Sequence, residues 1–592
     1  MNSGGKNENG KLLIATILLA VVFIGQISLA QVSIIDERQA RLDYMRSIPV
    51  TSWPKHIGGE PIDFDEWRAK KGEPGSFMID MVKKSVPANK SDAGIFCIYV
   101  NSDLFPQIES SVDTYIDDLI ADGYTVNLYQ TSGGTEVEFK QSLQAQYSAG
   151  MIGCILIGDL PIAWYEEYCW DVDETFPSDL YYMDMDGIWE DLDSNGIYDS
   201  HSGDQEPEIM VGRLTASPMT IGGVTEADLV NNYFAKNHNY RTNRLFLNNR
   251  AMAYIDDDWQ MYSSEWGGAV GMAYDSVTTV AYGAETIAAD YEARLDDNYE
   301  SILLCAHSWP NGHSFKVGTE WIGGDTYVDE VVTINPKAHF YNLFACSNTR
   351  YVEIDYMGGW YIFCDSYGLA SIGSTKTGSM LYFEDFYGPF SQGVSIGQAF
   401  LEWFIAMAEF GYSHDDICWF YGMTLCGDPT LRHIEPQPVS IITDMLSDGD
   451  FNLPYSDTLD SDGGIPPFQY TVTDGSLPEG LTLNGSEGII SGVCAEAGTF
   501  SFTVQAQDSG IPYLTGAKEI GININFMCGD VDGSVGINIL DITYIISYLY
   551  KGGPVPPVMD AADVNASGGI NVLDITVLIG YLYKSGPPPI CP

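Results

Sequence analysis

The last sixty or so residues constrain this chain more than any other stretch, because they repeat. Asp530-Val-Asp-Gly-Ser-Val-Gly-Ile-Asn-Ile-Leu-Asp-Ile-Thr543 returns as Asp563-Val-Asn-Ala-Ser-Gly-Gly-Ile-Asn-Val-Leu-Asp-Ile-Thr576, and each copy runs into an apolar stretch ending Tyr-Leu-Tyr. Oxygen-bearing residues at alternate positions, closed by a carboxylate at the twelfth, suit a hard cation that takes about six to eight oxygens. The first copy offers Asp530, Asp532, Ser534, the carbonyl of Gly536, Asn538 and Asp541. The second offers Asp563, Asn565, Ser567, the carbonyl of Gly569, Asn571 and Asp574. Calcium is the cofactor this spacing predicts. The overall charge agrees: 81 acidic against 27 basic residues give a net charge of -54, which gathers cations and repels nucleic acid and anionic lipid.

Aspartate at the twelfth place, followed by Ile-Thr, is a feature of dockerins, and residues 527–592 resemble one. The resemblance implies a small α-helical domain built on paired calcium loops, with a cohesin domain as its docking partner. Two departures stand out: Ser534 and Ser567 replace the usual acidic fifth residue, and Val535 stands where the first loop usually has glycine. Cys528 and Cys591 flank the module in positions to clip its ends together. A third acidic stretch, Asp191-Leu-Asp-Ser-Asn-Gly-Ile-Tyr-Asp199, sets Asp191, Asp193, Asn195 and Asp199 at the first, third, fifth and ninth places but lacks a twelfth acid. It reads either as a further calcium loop, completed by Asp204 or Glu206, or as a solvated turn.

At 592 residues the chain exceeds what one hydrophobic core organises. Lys6 and Lys11 precede the apolar run Leu12 to Gly25, and Ser28-Leu-Ala30 ends it with small residues, so residues 1–30 read as an export signal cleaved after Ala30. An uncleaved anchor is the competing reading. No second long apolar segment follows, so a secreted or cell-surface protein without a stable membrane span is expected. Residues 31–90 show no clear period and read as a pro-segment or an N-terminal arm. Strand and helix patterns then alternate through 91–245 and again through 246–435, which predicts two α/β subdomains with mainly parallel sheets. Residues 436–526 change to short alternating strands, the pattern of a β-sandwich. Within them Leu477-Pro-Glu-Gly-Leu-Thr-Leu483 and Gly488-Ile-Ile-Ser-Gly492 resemble the immunoglobulin-like modules of bacterial surface proteins.

Two predicted strands end in reactive side chains. Ile302-Leu-Leu-Cys-Ala306 leads into His307-Ser308, and Phe340-Tyr-Asn-Leu-Phe-Ala345 leads into Cys346-Ser347. A thiol nucleophile needs a base beside it and N–H donors for the oxyanion, and neighbouring parallel strands would bring both residues to one sheet edge, where α/β proteins bind ligands. A hydrophobic strand ending in His, then another ending Ala-Cys, resembles the caspase-related clan of cysteine peptidases. Gly158-Asp159, Ser178-Asp-Leu-Tyr-Tyr182, Pro207-Glu-Ile-Met-Val-Gly-Arg213, Phe344-Ala-Cys-Ser-Asn348, Ala370-Ser-Ile-Gly-Ser374 and Gly427-Asp-Pro-Thr-Leu431 resemble, in order, landmarks of its gingipain family. The resemblance implies a caspase-like fold over residues 93–433 and a peptide or protein substrate. It also implies Cys346 as nucleophile, His307 as general base and acid, and the amides of Cys346 and Ser308 as oxyanion donors. His313 is the alternative base. The family usually has glycine after the histidine, where this chain has Ser308, so an inactive peptidase-like binding protein is the competing class. Asp256, Asp257 and Asp258 lie in the region where arginine-specific relatives carry an acid, implying a basic P1 preference or else a solvated acidic turn.

Overall fold

Strands that are apolar on both sides must be covered on both sides, and that requirement shapes the larger part of the molecule. The computed structural model describes residues 37–50, 60–88, 93–242, 245, 247, 249–433, 438–464, 466–509 and 513–592. The export signal expected at 1–30 lies outside them. The chain divides into two compact units, residues 1–434 and 435–592.

In the first unit eleven strands form one sheet: β1 Met78–Ser85, β2 Ile95–Asn101, β3 Thr125–Ser132, β4 Met151–Ile157, β5 Met210–Leu214, β6 Arg250–Ile255, β7 Ser276–Val280, β8 Ser301–Cys305, β9 Phe340–Phe344, β10 Ala370–Ser374 and β11 Met423–Gly427. Their spatial order is β1-β3-β2-β4-β5-β11-β10-β9-β8-β6-β7. Pairing is parallel except at β1–β3 and β10–β11. The two α/β segments read from the sequence are thus halves of a continuous sheet, joined where Arg213 of β5 pairs with Cys426 of β11. Edge strand β1 falls within the stretch that shows no period, because most of its residues are exposed and three of its eight are charged.

Alternation along the strands sorts side chains into two cores. Tyr99 of β2, Leu303 and Cys305 of β8, and Phe340 and Phe344 of β9 pack into one. Ile98, Ile302, Leu304, Tyr341 and Leu343 pack into the other. Hydrogen bonds to two buried aspartates, and the Arg241–Asp428 ion pair, link the halves. Asp179 accepts hydrogen bonds from Arg213, Tyr351 and Thr424, and Asp428 accepts from Tyr115, Asn237 and Arg241. Removing one partner of such a pair leaves an uncompensated buried charge, which costs about 3–5 kcal/mol. A disulfide, Cys169–Cys418, fastens the hairpin Trp164–Cys169/Val172–Pro177 to the helix His414–Phe420.

The second unit holds a β-sandwich and a helical module. Its sandwich core gathers Ile490, Phe502, Val504, Ile520, Ile522 and Ile524. The module packs helices Ile539–Lys551 and Val572–Lys584 around Val531, Ile545, Val564 and Leu578. Asn538 and Asn571 cap these helices, each in a capping box with the twelfth-position aspartate, Asp541 or Asp574. Cys528 and Cys591 are bonded, closing the module's ends as the sequence suggests. Among the described residues no helix is long and apolar enough to cross a membrane.

Candidate active site

The register of β8 and β9 decides where the two reactive residues emerge. Cys305 stands opposite Phe344 in this parallel pair, and neighbouring strands lie about 4.8 Å apart. The ladder ends there, with the Ala306 amide still donating to the Phe344 carbonyl at 3.1 Å, and His307 and Cys346 each follow two places beyond the last paired residue. Parity agrees: His307 follows Leu303 and Cys305, Cys346 follows Phe344, and all three reference residues face the first core. Both residues border Trp259, whose ring packs on His307 and lines the cleft that holds Cys346. Cys346 is partly exposed in a cleft walled by Trp259, Phe344, Trp419, Pro49 and Val50. The ring of His307 packs against Trp259 at 4.6 Å and Trp321 at 4.8 Å.

His307 has a carboxylate behind it. Its Nε2 lies 2.9 Å from Asp258 Oδ2, while Lys316 Nζ donates to both oxygens of Asp258 at 2.7 and 2.9 Å. Burial opposes ionisation of Asp258, but the hydrogen bonds from His307 and Lys316 outweigh it and hold its carboxyl below the usual range. An ionised carboxylate can only accept, so the Nε2–H of His307 donates to Asp258. Asp256 is fully buried and accepts from the Lys316 amide at 2.8 Å; burial raises it to about 6. Asp257 accepts from the Gly318 amide. The three acids suggested for P1 recognition are thus turned onto His307 and the 316–318 segment.

Burial also pushes the Cys346 thiol up, to about 11, against opposing contributions from the Gly378 amide and from Lys376. Gly378 has φ +116°, and a Cβ there would meet the Cys418 carbonyl at 2.6 Å, so only glycine brings this amide to the sulfur. Lys376 is buried, donates to the Cys418 carbonyl at 2.6 Å and lies 3.2 Å from Glu174.

Ser308 and His313 face the other way. They stand opposite each other in the hairpin His307–Trp309/Gly312–Ser314, and the Ser308 hydroxyl shares a 2.8 Å hydrogen bond with His313 Nδ1. His313 Nε2 meets the Tyr361 hydroxyl at 2.9 Å, and Tyr361 meets Tyr291 at 2.7 Å. Complete burial lowers His313 to about 3. The alternative base is a neutral ring on the opposite face from Cys346, and the extra side chain at position 308 points into that interior network.

In the helical module Asp530, Asp532 and Asp541 bring carboxylate oxygens within 4.8 Å of one another. In the second loop Asn565 Oδ1 and Asp574 Oδ1 are buried with no hydrogen-bond partner among the described residues. Orphaned acceptors at the third and twelfth positions are what an oxygen-coordinated cation would satisfy. The 191–199 loop repeats the folding of the first copy: Asn195 N donates to Asp191 and Asp193, as Ser534 N does to Asp530 and Asp532. Gly196 N then donates to Asp191, as Val535 N does to Asp530. Glu166 joins Asp193 and Asp199 there; Asp204 and Glu206 do not.

Two family models match parts of the second unit. Residues 436–524 match the family described as "Putative Ig domain", and residues 528–583 match the dockerin type I domain. The chain therefore carries an immunoglobulin-like domain and a type I dockerin. No curated protein matches it in sequence. Among solved structures, the Arg-specific cysteine proteinase gingipain R (RgpB) aligns over 74% of this chain and all of its own, at 12% identity and a TM-score of 0.44. A complex of the Porphyromonas gingivalis RgpB pro- and mature domains gives 73%, 100%, 12% and 0.41. Mouse cadherin-23 EC22-24 aligns over 18% of this chain and 35% of its own, at 16% identity and a TM-score of 0.15.

Proposed function

We propose that this protein is an exported cysteine endopeptidase of gingipain type, attached to a cohesin-bearing partner through its calcium-loaded dockerin. One observation supports the enzymatic half: His307 and Cys346 follow the ends of the paired strands β8 and β9, and both border Trp259. In this reading His307 Nδ1 takes the thiol proton as sulfur attacks the scissile carbonyl carbon. The N–H groups of Cys346 and Ser308 hold the resulting oxyanion. Collapse breaks the C–N bond, His307 returns the proton to the departing amine, and a thioester remains on Cys346. Water, deprotonated by His307, then releases the acid and restores the thiol. Asp258 keeps the imidazole oriented, in the manner of the third member of a triad. Burial favours the protonated thiol, so His307 has to take that proton for sulfur to act as a nucleophile.

The inactive reading rests on Ser308, whose hydroxyl is spent on His313 and the Ala306 carbonyl and whose backbone N–H is retained. A peptidyl electrophile tests the enzyme directly. It is expected to label the wild type on Cys346, to lose all labelling in Cys346→Ala, and to react at least tenfold more slowly with His307→Ala. Labelling that survives Cys346→Ala would sink the proposal.

In the dockerin, the oxygen donors of both loops fit calcium, which would be held by Asp530, Asp532, Ser534, Gly536, Asn538 and Asp541 and by their counterparts from Asp563 to Asp574. Bound calcium would neutralise the clustered carboxylates and fix the paired helices for docking. Capture of a cohesin domain in calcium and its release by a chelator is the expected result; capture indifferent to the chelator would refute the calcium requirement.

A further inference from the structure

We infer that a second cleft of the same unit, away from Cys346, binds an extended polypeptide through a basic side chain and so holds substrate at a distance from the scissile bond. This deepens the peptidase reading: the role of the bound chain as substrate rests on that reading, and the binding itself does not. The cleft has a volume of about 360 Å³, within the ~300–1,000 Å³ of ligand sites. It opens beyond the carboxyl ends of β2, β3 and β4, at Asn101, Ser132 and Asp159, where open α/β sheets place ligands. Gly133 has φ +59°, and a Cβ there would meet the Ser76 carbonyl at 2.5 Å, so glycine lets the turn after β3 close on the segment that floors the cleft.

Both cations in the lining are spent. Arg68 pairs with Glu73 at 3.1 Å, and Lys71 pairs with Asp159. Glu136, in the first turn of helix Glu136–Ser148, is half-buried and forms no ion pair among the described residues; burial raises its carboxyl. One wall is aromatic, with the rings of Trp67 and Trp164 5.2 Å apart and Phe64 5.5 Å from Trp164. Trp164 is 2% exposed, and its indole N–H is buried with no acceptor among the described residues. A peptide bearing Arg or Lys supplies what these groups lack: a cationic head for Glu136, an aliphatic stem for the rings and a backbone carbonyl for the indole. A neutral sugar brings no charge for Glu136, and an anion is repelled by it. The cleft is tied to the sulfur's surroundings through Arg350, four places after Cys346, whose guanidinium lies 5.2 Å from the Trp164 ring and donates to the Thr175 carbonyl at 2.8 Å.

The test uses the full chain carrying Cys346→Ala, so that nothing is cleaved, and the fluorescence anisotropy of a labelled Gly/Ser peptide with a single Arg, at physiological salt, which screens exposed charges beyond ~8 Å. Replacing that Arg by citrulline is expected to weaken binding at least tenfold, and Glu136→Gln to weaken the Arg peptide at least fivefold while leaving the citrulline peptide unchanged. Binding indifferent to both changes would be general attraction to a chain of net charge -54 and would overturn the inference. Displacement of the peptide by a linear oligosaccharide at lower concentration than by unlabelled Arg peptide would overturn the polypeptide as occupant. Glu136-dependent binding in a protein whose Cys346 no peptidyl electrophile labels would overturn the peptidase reading and the substrate role, and leave the binding site standing.

Discussion

Two groups of aspartates in this molecule meet opposite fates. At the sheet edge Asp256 and Asp258 have their acceptors filled, by the Lys316 amide, Lys316 Nζ and His307. In the second dockerin loop Asp574 accepts from the Asn571 amide through one oxygen, while its other oxygen and that of Asn565 stay buried and unmet among the described residues. A carboxylate with filled acceptors can orient a neighbour but has little left for a ligand. One with an orphaned oxygen in a low-dielectric site is a place for a cation. The count of acids is a poor guide to calcium in a chain with 81 of them; the accounting of their lone pairs is a better one.

That contrast can be broken at either end. The largest effect is expected from calcium itself: at a thousandfold excess over the dissociation constant, binding to the folded loops should stabilise the dockerin by about 4 kcal/mol. Hydrogen exchange in helices Ile539–Lys551 and Val572–Lys584 should slow accordingly, and Asp574→Ala should lose much of the protection; unchanged exchange would erase the distinction. Asp258→Asn keeps the shape but not the charge and should lower kcat about 10²-fold, roughly 2.7 kcal/mol, with KM little altered. A change confined to KM would place Asp258 in substrate binding.

Asp256 gives a smaller and opposite effect. Its folded pKa of about 6 lies above the unfolded value near 3.9, so its protonated form contributes stability that is complete below about pH 4 and lost as pH rises through 6. Asp256→Asn should therefore be more stable than wild type at pH 8 by ~2 kcal/mol and no more stable at pH 4; denaturant midpoints at the two pH values decide it. Smallest is Ser308→Gly, with less than a tenfold change in kcat/KM and a stability loss of about 1 kcal/mol from the vacated partner of His313. A large gain in activity would mean that the serine does obstruct the site.

The sequence makes His307 and Cys346 stand out because His307 follows the five apolar residues Ile302 to Ala306, and Cys346 follows Phe340 to Ala345, a strand pattern broken only by Asn342. Asp258 is visible as an acid in the right region, but its role depends on the β6–β8 register, in which the Asp256 amide donates to the Cys305 carbonyl at 2.9 Å. No local pattern encodes that crossing. The Ser308–His313 pair is different. His307-Ser-Trp-Pro-Asn-Gly-His-Ser314 places Pro-Asn-Gly between two short runs, a hairpin signal from which the opposition of Ser308 and His313 follows. Asp179, Arg213 and Asp428 serve the core: all three are buried in ion pairs. Edge strand β1 escapes detection because the pattern that marks a buried strand is missing from it.

Trp419, a wall of the cleft, directly follows Cys418, whose bridge to Cys169 fastens the hairpin that carries Glu174. The unit thus holds two sulfur chemistries at once, a free thiol at Cys346 and an oxidised staple one residue away from the cleft wall. A dithiol added to wake the first will, at higher dose, dissolve the second. Assays of this protein should accordingly pass through an optimum of reductant, rising as Cys346 is unmasked and falling as the staple opens.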